Sequence, residues 1–426
     1  MQTKARHLPV LALLLAITAL AATPALRVLL AVGLTGHALW QARQSSWRLP
    51  SPPSLFWPWL VTLGLAFASL AWSVAPRDSL RAAGYDLLLP AALFWLGYRY
   101  GGNPQARRYL ASGLLLGLLA MWLLSLGVVL TQSGVALPLP TRQAAGFVLP
   151  VPRWYGGMGE ASTWLICMAP PTLLACVLAG KRFWRRVWWL ALFILLLSLA
   201  ASTNRLAWFA LLAGGVPFLP RLAARLGWKR LLALVGLAVA VVGASLTWSL
   251  QYRAQQMQLP AVQGNLLVKL EAALARDNRP VIWTFWWQQG LQRPWLGVGY
   301  GKWLPHHAYG ANASAAQRML DPNFASHAHN ALFNRWLQLG WFGALVWLWL
   351  YCALTWRLWR QSANAGPAGY AAVTGLGVVL AFMVKNLTDD FTDGGTMAAF
   401  SLVTGALLAW SEQDQWRGVS TLCKKS

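Results

Sequence analysis

Acidic residues are what this sequence has least of. Its 426 residues include 11 Asp and Glu against 35 Lys and Arg, and charged residues of both signs make up only 11% of the chain. Soluble globular domains carry roughly 25% charged residues, so an ordinary soluble enzyme is excluded. A formal charge of +24 would point to nucleic acid if it sat on a polar domain. Here the cations are spread between apolar runs, and membrane topology is the explanation to test. Cysteine is scarce as well: Cys167, Cys176 and Cys352 fall inside apolar runs and Cys423 in the basic tail, which excludes a disulfide framework in a polar loop. The chain has no GxxxxGK[ST] phosphate cradle, and it lacks the internal repeat and midplane charges expected of a transporter.

Hydrophobic residues, at 57%, are what is there. Apolar runs predict twelve spans, at about 8–23, 25–41, 55–75, 80–98, 109–131, 160–180, 186–203, 205–220, 230–250, 341–359, 367–387 and 395–411. The N-terminus, a short basic stretch followed by LPVLALLLAITALAA, also describes a secretory signal; the second run follows so closely that an uncleaved first span is preferred. With both termini in the cytoplasm, that side holds 20 Lys and Arg with only Glu412 and Asp414 as acids, as the positive-inside rule requires. The expectation is an all-α integral membrane protein of about 12 transmembrane helices. It divides into spans one to nine over 1–250, a long helical external loop over 251–340, and the last three spans with a cytoplasmic tail over 341–426. A loop of that length is usually functional. Many of the 28 tryptophans fall near span ends and read as interfacial belts.

Chemistry-bearing residues gather on the external side. STNRLAWF joins two spans with almost no loop, so Arg205 is held at a membrane surface by two helix ends, after Ser202 and Thr203. DNRPVIWTFWWQQGLQRPWLGVGYG places Arg279 at the head of a helical run with Trp283 one turn on, and Gly297, Gly299 and Gly301 read as a turn, because no parallel strand supports a dinucleotide site. SHAHNALFNRWLQLGWFG sets His327, His329 and Asn330 before an amphipathic helix. A metal there would need a third ligand in recognisable spacing, and Asp321 is not a convincing one, so no metal is expected. KNLTDDFTDGG supplies Lys385, Asp389, Asp390 and Asp393; a carboxylate here could bind a cation, pair with external cations, or orient a histidine or arginine. Arg142, Arg153, Tyr155 and Glu160 lie in the other sizeable external loop, where they add polar surface for a substrate or are merely solvated.

Together these segments resemble the O-antigen ligase family of membrane glycosyltransferases, which also includes O-antigen polymerases and O-oligosaccharyltransferases. His329 and Asn330, nine residues, then Gly340 and Gly343 reproduce the ligase signature. Arg279, Trp283 and the Pro294–Gly301 stretch match a second family feature, and Ser202, Thr203 and Arg205 a third. WSVAP at Trp72–Pro76 resembles the ending of the family's third span, and Phe209 departs from the usual leucine after the arginine. The resemblance implies transfer of undecaprenyl-pyrophosphate-linked O-antigen to lipid A–core at the periplasmic face of a Gram-negative inner membrane. It also implies work without cofactor, metal, nucleotide or nucleic acid. His329 is then the base for a sugar hydroxyl, with His327 as the alternative. Arg205 and Arg279 neutralise the departing diphosphate, and His327, Asn330, Arg142, Arg153, Tyr155, Glu160, Trp283 and Asp389 contact substrate. A polymerase, an O-oligosaccharyltransferase and, from another class, a lipid-linked saccharide transporter are the alternatives.

Overall fold

The computed structural model describes residues 8–20, 23–44, 53–132, 158–202, 204–256, 268, 278–320 and 324–413. All regular structure among them is helical. The first half runs α1 (Pro9–Thr18), α2 (Pro24–Gln44), α3 (Pro53–Ala68), α4 (Pro76–Ala82), a π-helical turn (Ala83–Leu88), α5 (Leu89–Gly101), α6 (Pro104–Gln132) and α7 (Met158–Leu178). The chain continues with α8 (Arg182–Ala201), α9 (Arg205–Gly215), α10 (Leu219–Leu226) and α11 (Trp228–Gln256). The remaining helices are α12 (Arg279–Gly290), α13 (Leu304–Tyr309), α14 (Ala315–Leu320), α15 (Ala331–Ser362), α16 (Gly366–Asn386) and α17 (Gly394–Ser411). Five of the first six helices begin on proline, whose fixed φ and missing N–H suit the first helical position.

Eight helical stretches among the described residues are long and apolar enough to cross a membrane: α6, α7, α8, α9 with α10, α11, α15, α16 and α17. This is short of the expected twelve, and the shortfall is all at the N-terminal end. The ten residues of α1 span only about 15 Å. In α2, Arg27, His37, Gln41 and Arg43 dilute the apolar run. Leu55–Ala71 is apolar but short, and the run expected at 80–98 is broken by the π-helical turn.

Small residues bring the central helices together. A Cβ on Gly97 of α5 would lie 2.2 Å from the Leu402 carbonyl oxygen of α17, and one on Gly405 would lie 2.1 Å from that of Phe94. Such close backbone approach is the usual way helices pack in lipid. In the same way Gly214 of α9 meets Gly377 and Ala381 of α16, while Phe218 further along reaches Gly377, so these two helices run antiparallel. From Gly214 back to Arg205 is nine residues, about 14 Å of helix. The same rise along α16 ends near residue 388, so Arg205 lies level with the α16–α17 connection.

The two ends of the bundle differ in charge. At one end Arg357 donates to Glu412 at 2.7 Å, Arg107 to Gln413 at 3.1 Å, and Arg221 to the carbonyls of Ser362 and Asn364, each at 2.7 Å. Glu412 is buried and also accepts from the Tyr98 hydroxyl at 2.7 Å, so it anchors the bundle beyond merely balancing surface charge. The other described acids, Asp78, Asp86, Glu160, Asp389, Asp390 and Asp393, gather at the opposite end, around the cavity and side-chain clusters described next.

Candidate active site

Three distant segments are stitched together beneath the site. The 297–301 stretch is a turn in which Gly297, Gly299 and Gly301 all have positive φ. On one side the Val74 N–H donates to the Val298 carbonyl at 3.0 Å, Trp72 Nε1 to the Leu296 carbonyl at 2.9 Å, and the Ser79 hydroxyl to the Tyr300 carbonyl at 2.8 Å. On the other, the N–H groups of Val298 and Gly299 donate to the carbonyls of Leu337 and Gln338 at 3.1 and 2.9 Å, and that of Trp341 to the Pro294 carbonyl at 2.9 Å. Those carbonyls are open because α15 kinks at Gly340 (φ 66°, ψ −168°), which divides the amphipathic segment 331–339 from the apolar span.

The kinked helix begins at the histidine motif. Asn330 caps α15 by accepting the Phe333 N–H at 3.0 Å and donates to the Leu387 carbonyl at 2.8 Å. Trp283 of α12 donates to the Ala328 carbonyl at 2.9 Å, and Arg279 Nε, at the start of α12, to the Thr388 carbonyl at 2.9 Å. These bonds lay the 327–330 segment against residues 387–389. Asp389 Oδ1 then stands 3.5 Å from His327 Nε2 and 3.5 Å from His329 Nδ1, with the two rings 4.1 Å apart.

The two histidines are held differently. His327 is buried, with Nε2 3.5 Å from Asp389 but in no hydrogen bond, and Nδ1 2.9 Å from the Ser326 hydroxyl, so both nitrogens face protein groups. His329 directs Nδ1 to Asp389 and leaves a buried Nε2 with no hydrogen-bond partner. It is also the one described non-glycine residue at positive φ (49°). Histidine tolerates this region better than most residues, and strain of this kind tends to collect at functional sites.

Below this pair is a buried charged layer. The Lys302 ammonium donates to the Asp390 carbonyl and pairs with Asp393 at 3.4 Å. The Asp390 carboxylate accepts from Asn334 at 2.6 Å and from the Thr392 hydroxyl at 2.5 Å; Arg335 donates to that hydroxyl at 2.5 Å and to Gln338 at 2.6 Å. Lys385, also buried, has its ammonium 4.3 Å from the centre of the Phe391 ring. Burial by itself would raise the Asp389 carboxyl, but the contacts from His327 and His329 and the charge of Lys385 hold it well below the usual carboxylate range. Burial pushes His327 down, against the pull of Asp389. Asp390 is also depressed, since Arg335 and Lys302 outweigh its burial. Asp389 is therefore a fixed negative charge, and His327 favours its neutral form.

Of the other residues singled out in the sequence, Arg205 opens α9 half-buried and level with residue 388, and Asn204 beside it donates to Ser162 at 3.0 Å. Glu160 lies in the first turn of α7 and lines a cavity of about 650 Å³. That cavity is bordered by Lys302 and Trp303, and does not include His329, Arg205 or Arg279. Arg142, Arg153, Tyr155, Thr203 and Asp321 lie outside the described residues. Sequence reasoning passed over Lys302, Arg335 and Arg27, whose signal was a cation inside or beside an apolar helix.

His327, His329 and Asp389 also offer three ligand atoms, all within 4.8 Å of one another. Two imidazoles and a carboxylate with an open position make a donor set that a catalytic zinc could use. No third ligand stands near the histidines in sequence, because Asp389 lies sixty residues beyond His329.

No curated protein matches the chain. Residues 172–348, which include Arg205, Arg279, Trp283, both motif histidines, Asn330 and the Gly340 kink, match the family described as O-antigen ligase.

Proposed function

We propose that this protein is an O-antigen ligase. It transfers a glycan from an undecaprenyl-diphosphate-linked donor to a sugar hydroxyl of lipid A–core, with inversion and without a metal, at the periplasmic face of the inner membrane with both termini cytoplasmic. The observation that carries this reading is the state of His329, with Nδ1 facing a carboxylate and a buried Nε2 left unpartnered. A carboxylate at one imidazole nitrogen fixes the tautomer and stabilises the imidazolium that forms when the other takes a proton. His329 is therefore the base, and His327 and Asp389 position it. The acceptor O–H breaks as its proton passes to His329 Nε2, and the oxygen bonds to the anomeric carbon. The bond from that carbon to phosphate oxygen breaks, and its electron pair leaves on the diphosphate. Arg279 and Arg205, level with the 387–389 segment, take up the growing charge. Losing one such donor should cost about 3–4 kcal/mol of transition-state stabilisation. The basic end with Arg107, Arg221 and Arg357 supports the orientation.

The three-ligand cluster favours a second reading, in which a bound metal activates the hydroxyl. The deciding experiment uses purified protein, lipid-linked donor and lipid A–core in EDTA. Transfer should persist, His329→Ala should lower it by about 10²–10⁴-fold, and His327→Ala should lower it less. Transfer abolished by EDTA and restored by zinc would favour the metal. Elongation of donor lipid without core acceptor would make the protein a polymerase.

A further inference from the structure

The reacting groups leave a question about where the second sugar is held. The 650 Å³ cavity is of a size that takes small ligands, and it is framed by the starts of α2, α7 and α17, by α4 with the π-helical turn, and by residues 301–304. Its wall toward the histidines is formed by Lys302 and Trp303; the Trp303 ring stands edge-on to His327 at 5.5 Å.

Its charge decides what it can hold. Three cations, Arg27, Arg81 and Lys302, face four carboxylates, Asp78, Asp86, Glu160 and Asp393. Burial and the charge of Asp393 push the Asp86 carboxyl up to about 7, so the lining is near neutral; a diphosphate placed here would add two or more negative charges with no spare cation to meet them, so this is not the leaving-group site. Carboxylates and guanidinium groups around the aromatic rings of Tyr85, Trp164 and Trp303 suit a neutral ligand rich in hydroxyls. Carboxylates accept from its hydroxyls, arginine donates to them, and the rings cover its C–H faces. Two polar groups are also left unsatisfied. Arg27 is only 2% exposed and its Nη1 has no hydrogen-bond partner; the buried Tyr85 hydroxyl has none either. Unpaired buried donors are uncommon unless a ligand or water completes them.

Position decides which sugar. The Thr388 carbonyl is held by Arg279, and the Asp390 carbonyl by Lys302. Arg279, the leaving-group arginine, and Lys302, at the edge of the cavity, thus hold the two carbonyls next to Asp389 in the chain. In an inverting displacement the nucleophile and the leaving group need separate places about the anomeric carbon, and Arg279 lies outside the cavity that Lys302 borders. We infer that the cavity is the subsite for the acceptor: it binds a neutral saccharide of the acceptor and lets the reacting hydroxyl reach His329 past the Lys302–Trp303 edge. This rests on the glycosyl-transfer reading above.

Tyr85→Phe removes one hydroxyl that has no partner in the fold, and Glu160→Gln keeps size while removing charge. Both are tested by transfer kinetics with each substrate varied, and by calorimetric binding of a delipidated lipid A–core oligosaccharide, dephosphorylated, with no donor present. Each variant should raise the acceptor KM about tenfold, the scale of one net hydrogen bond, weaken oligosaccharide binding to match, and move the donor KM less than twofold. A raised donor KM with the acceptor KM unmoved would give the cavity to the donor glycan. No change in either constant, or tighter binding of the phosphorylated oligosaccharide than of the neutral one, would overturn the assignment. If the wild type binds the oligosaccharide in a Tyr85-dependent way but transfers nothing to it, the ligase reading fails and the saccharide subsite stands.

Discussion

Gly340 belongs to the signature that points to catalysis, yet its role here is to bend the chain, and Gly340→Ala should separate the two. With φ 66° and ψ −168° it occupies a backbone region used almost solely by glycine, at a cost of about 1–3 kcal/mol for other residues. An added Cβ would lie 1.9 Å from the Trp295 carbonyl oxygen, 2.0 Å from its carbon and 2.5 Å from the Leu296 nitrogen. These are backbone atoms and cannot rotate away. Nor can the turn retreat freely, because the Pro294 carbonyl takes the Trp341 N–H and the Leu296 carbonyl takes Trp72 Nε1. Overpacking costs about 1–3 kcal/mol, and each backbone hydrogen bond lost adds about 1. The expected loss is about 4–6 kcal/mol. Gly366 is the control: φ is 68°, but an added Cβ would have nothing within 4 Å, so Gly366→Ala should lose only about 1–2 kcal/mol. Unfolding by sodium dodecyl sulfate in mixed micelles measures both, and glycan transfer is assayed alongside. Equal losses in the two variants, or full transfer by Gly340→Ala, would refute the steric argument.

Asp389→Asn keeps shape but removes a charge 3.5 Å from two imidazole nitrogens. With an effective dielectric near 20, such a pair is worth up to about 4 kcal/mol, so single-turnover transfer should slow by roughly 30- to 1000-fold, and a loss under threefold would remove Asp389 from the proton path. Because the folded-state pKa of Asp389 lies below the unfolded value near 3.9, its stabilisation is complete above that pH and is lost as pH falls through the depressed value. Thermal midpoints of wild type and Asp389→Asn should therefore differ at neutral pH and converge in strong acid; a gap that widens in acid would reverse the sign. Arg279→Lys retains charge but loses the planar fork and the Nε bond to Thr388. Donor turnover should drop at least about tenfold with acceptor KM little changed, which steady-state kinetics with each substrate varied can check.

How much of this could be read from sequence depends on the range of the interaction. Asn330 as a cap, Gly340 as a break nine residues on, Arg279 at a helix start and the 297–301 glycines as a turn are local, and spacing carries them. The apposition of Asp389 with His327 and His329 is not local. It needs Asn330 to reach Leu387 and Arg279 to reach Thr388, and no pattern within either segment encodes that meeting. The stitching of Trp72–Pro76 to Leu296–Val298 spans more than two hundred residues and is hidden for the same reason. A weaker signal was present in the scarcity of acids. In a chain with only 11 of them, Asp86 beside an apolar run was worth pursuing along with Glu160, since a charge near lipid is seldom kept without use. The N-terminal runs fall short of the other eight in helix length or hydropathy because of features that apolar runs do not register, such as the π-helical turn at 83–88 and the early end of α1.

The left-handed backbone at His329 also determines which blank of this protein is worth making. Alanine there keeps the strain but lacks the polar side chain that eases it, so an inactive alanine variant could be inactive for want of order. Asparagine is at home in the same conformation and has no group able to take a proton from a sugar. His329→Asn should thus hold the 327–330 segment in place with the chemistry removed. It is the form of the protein in which donor and acceptor can be loaded together and the complex captured before the bond is made.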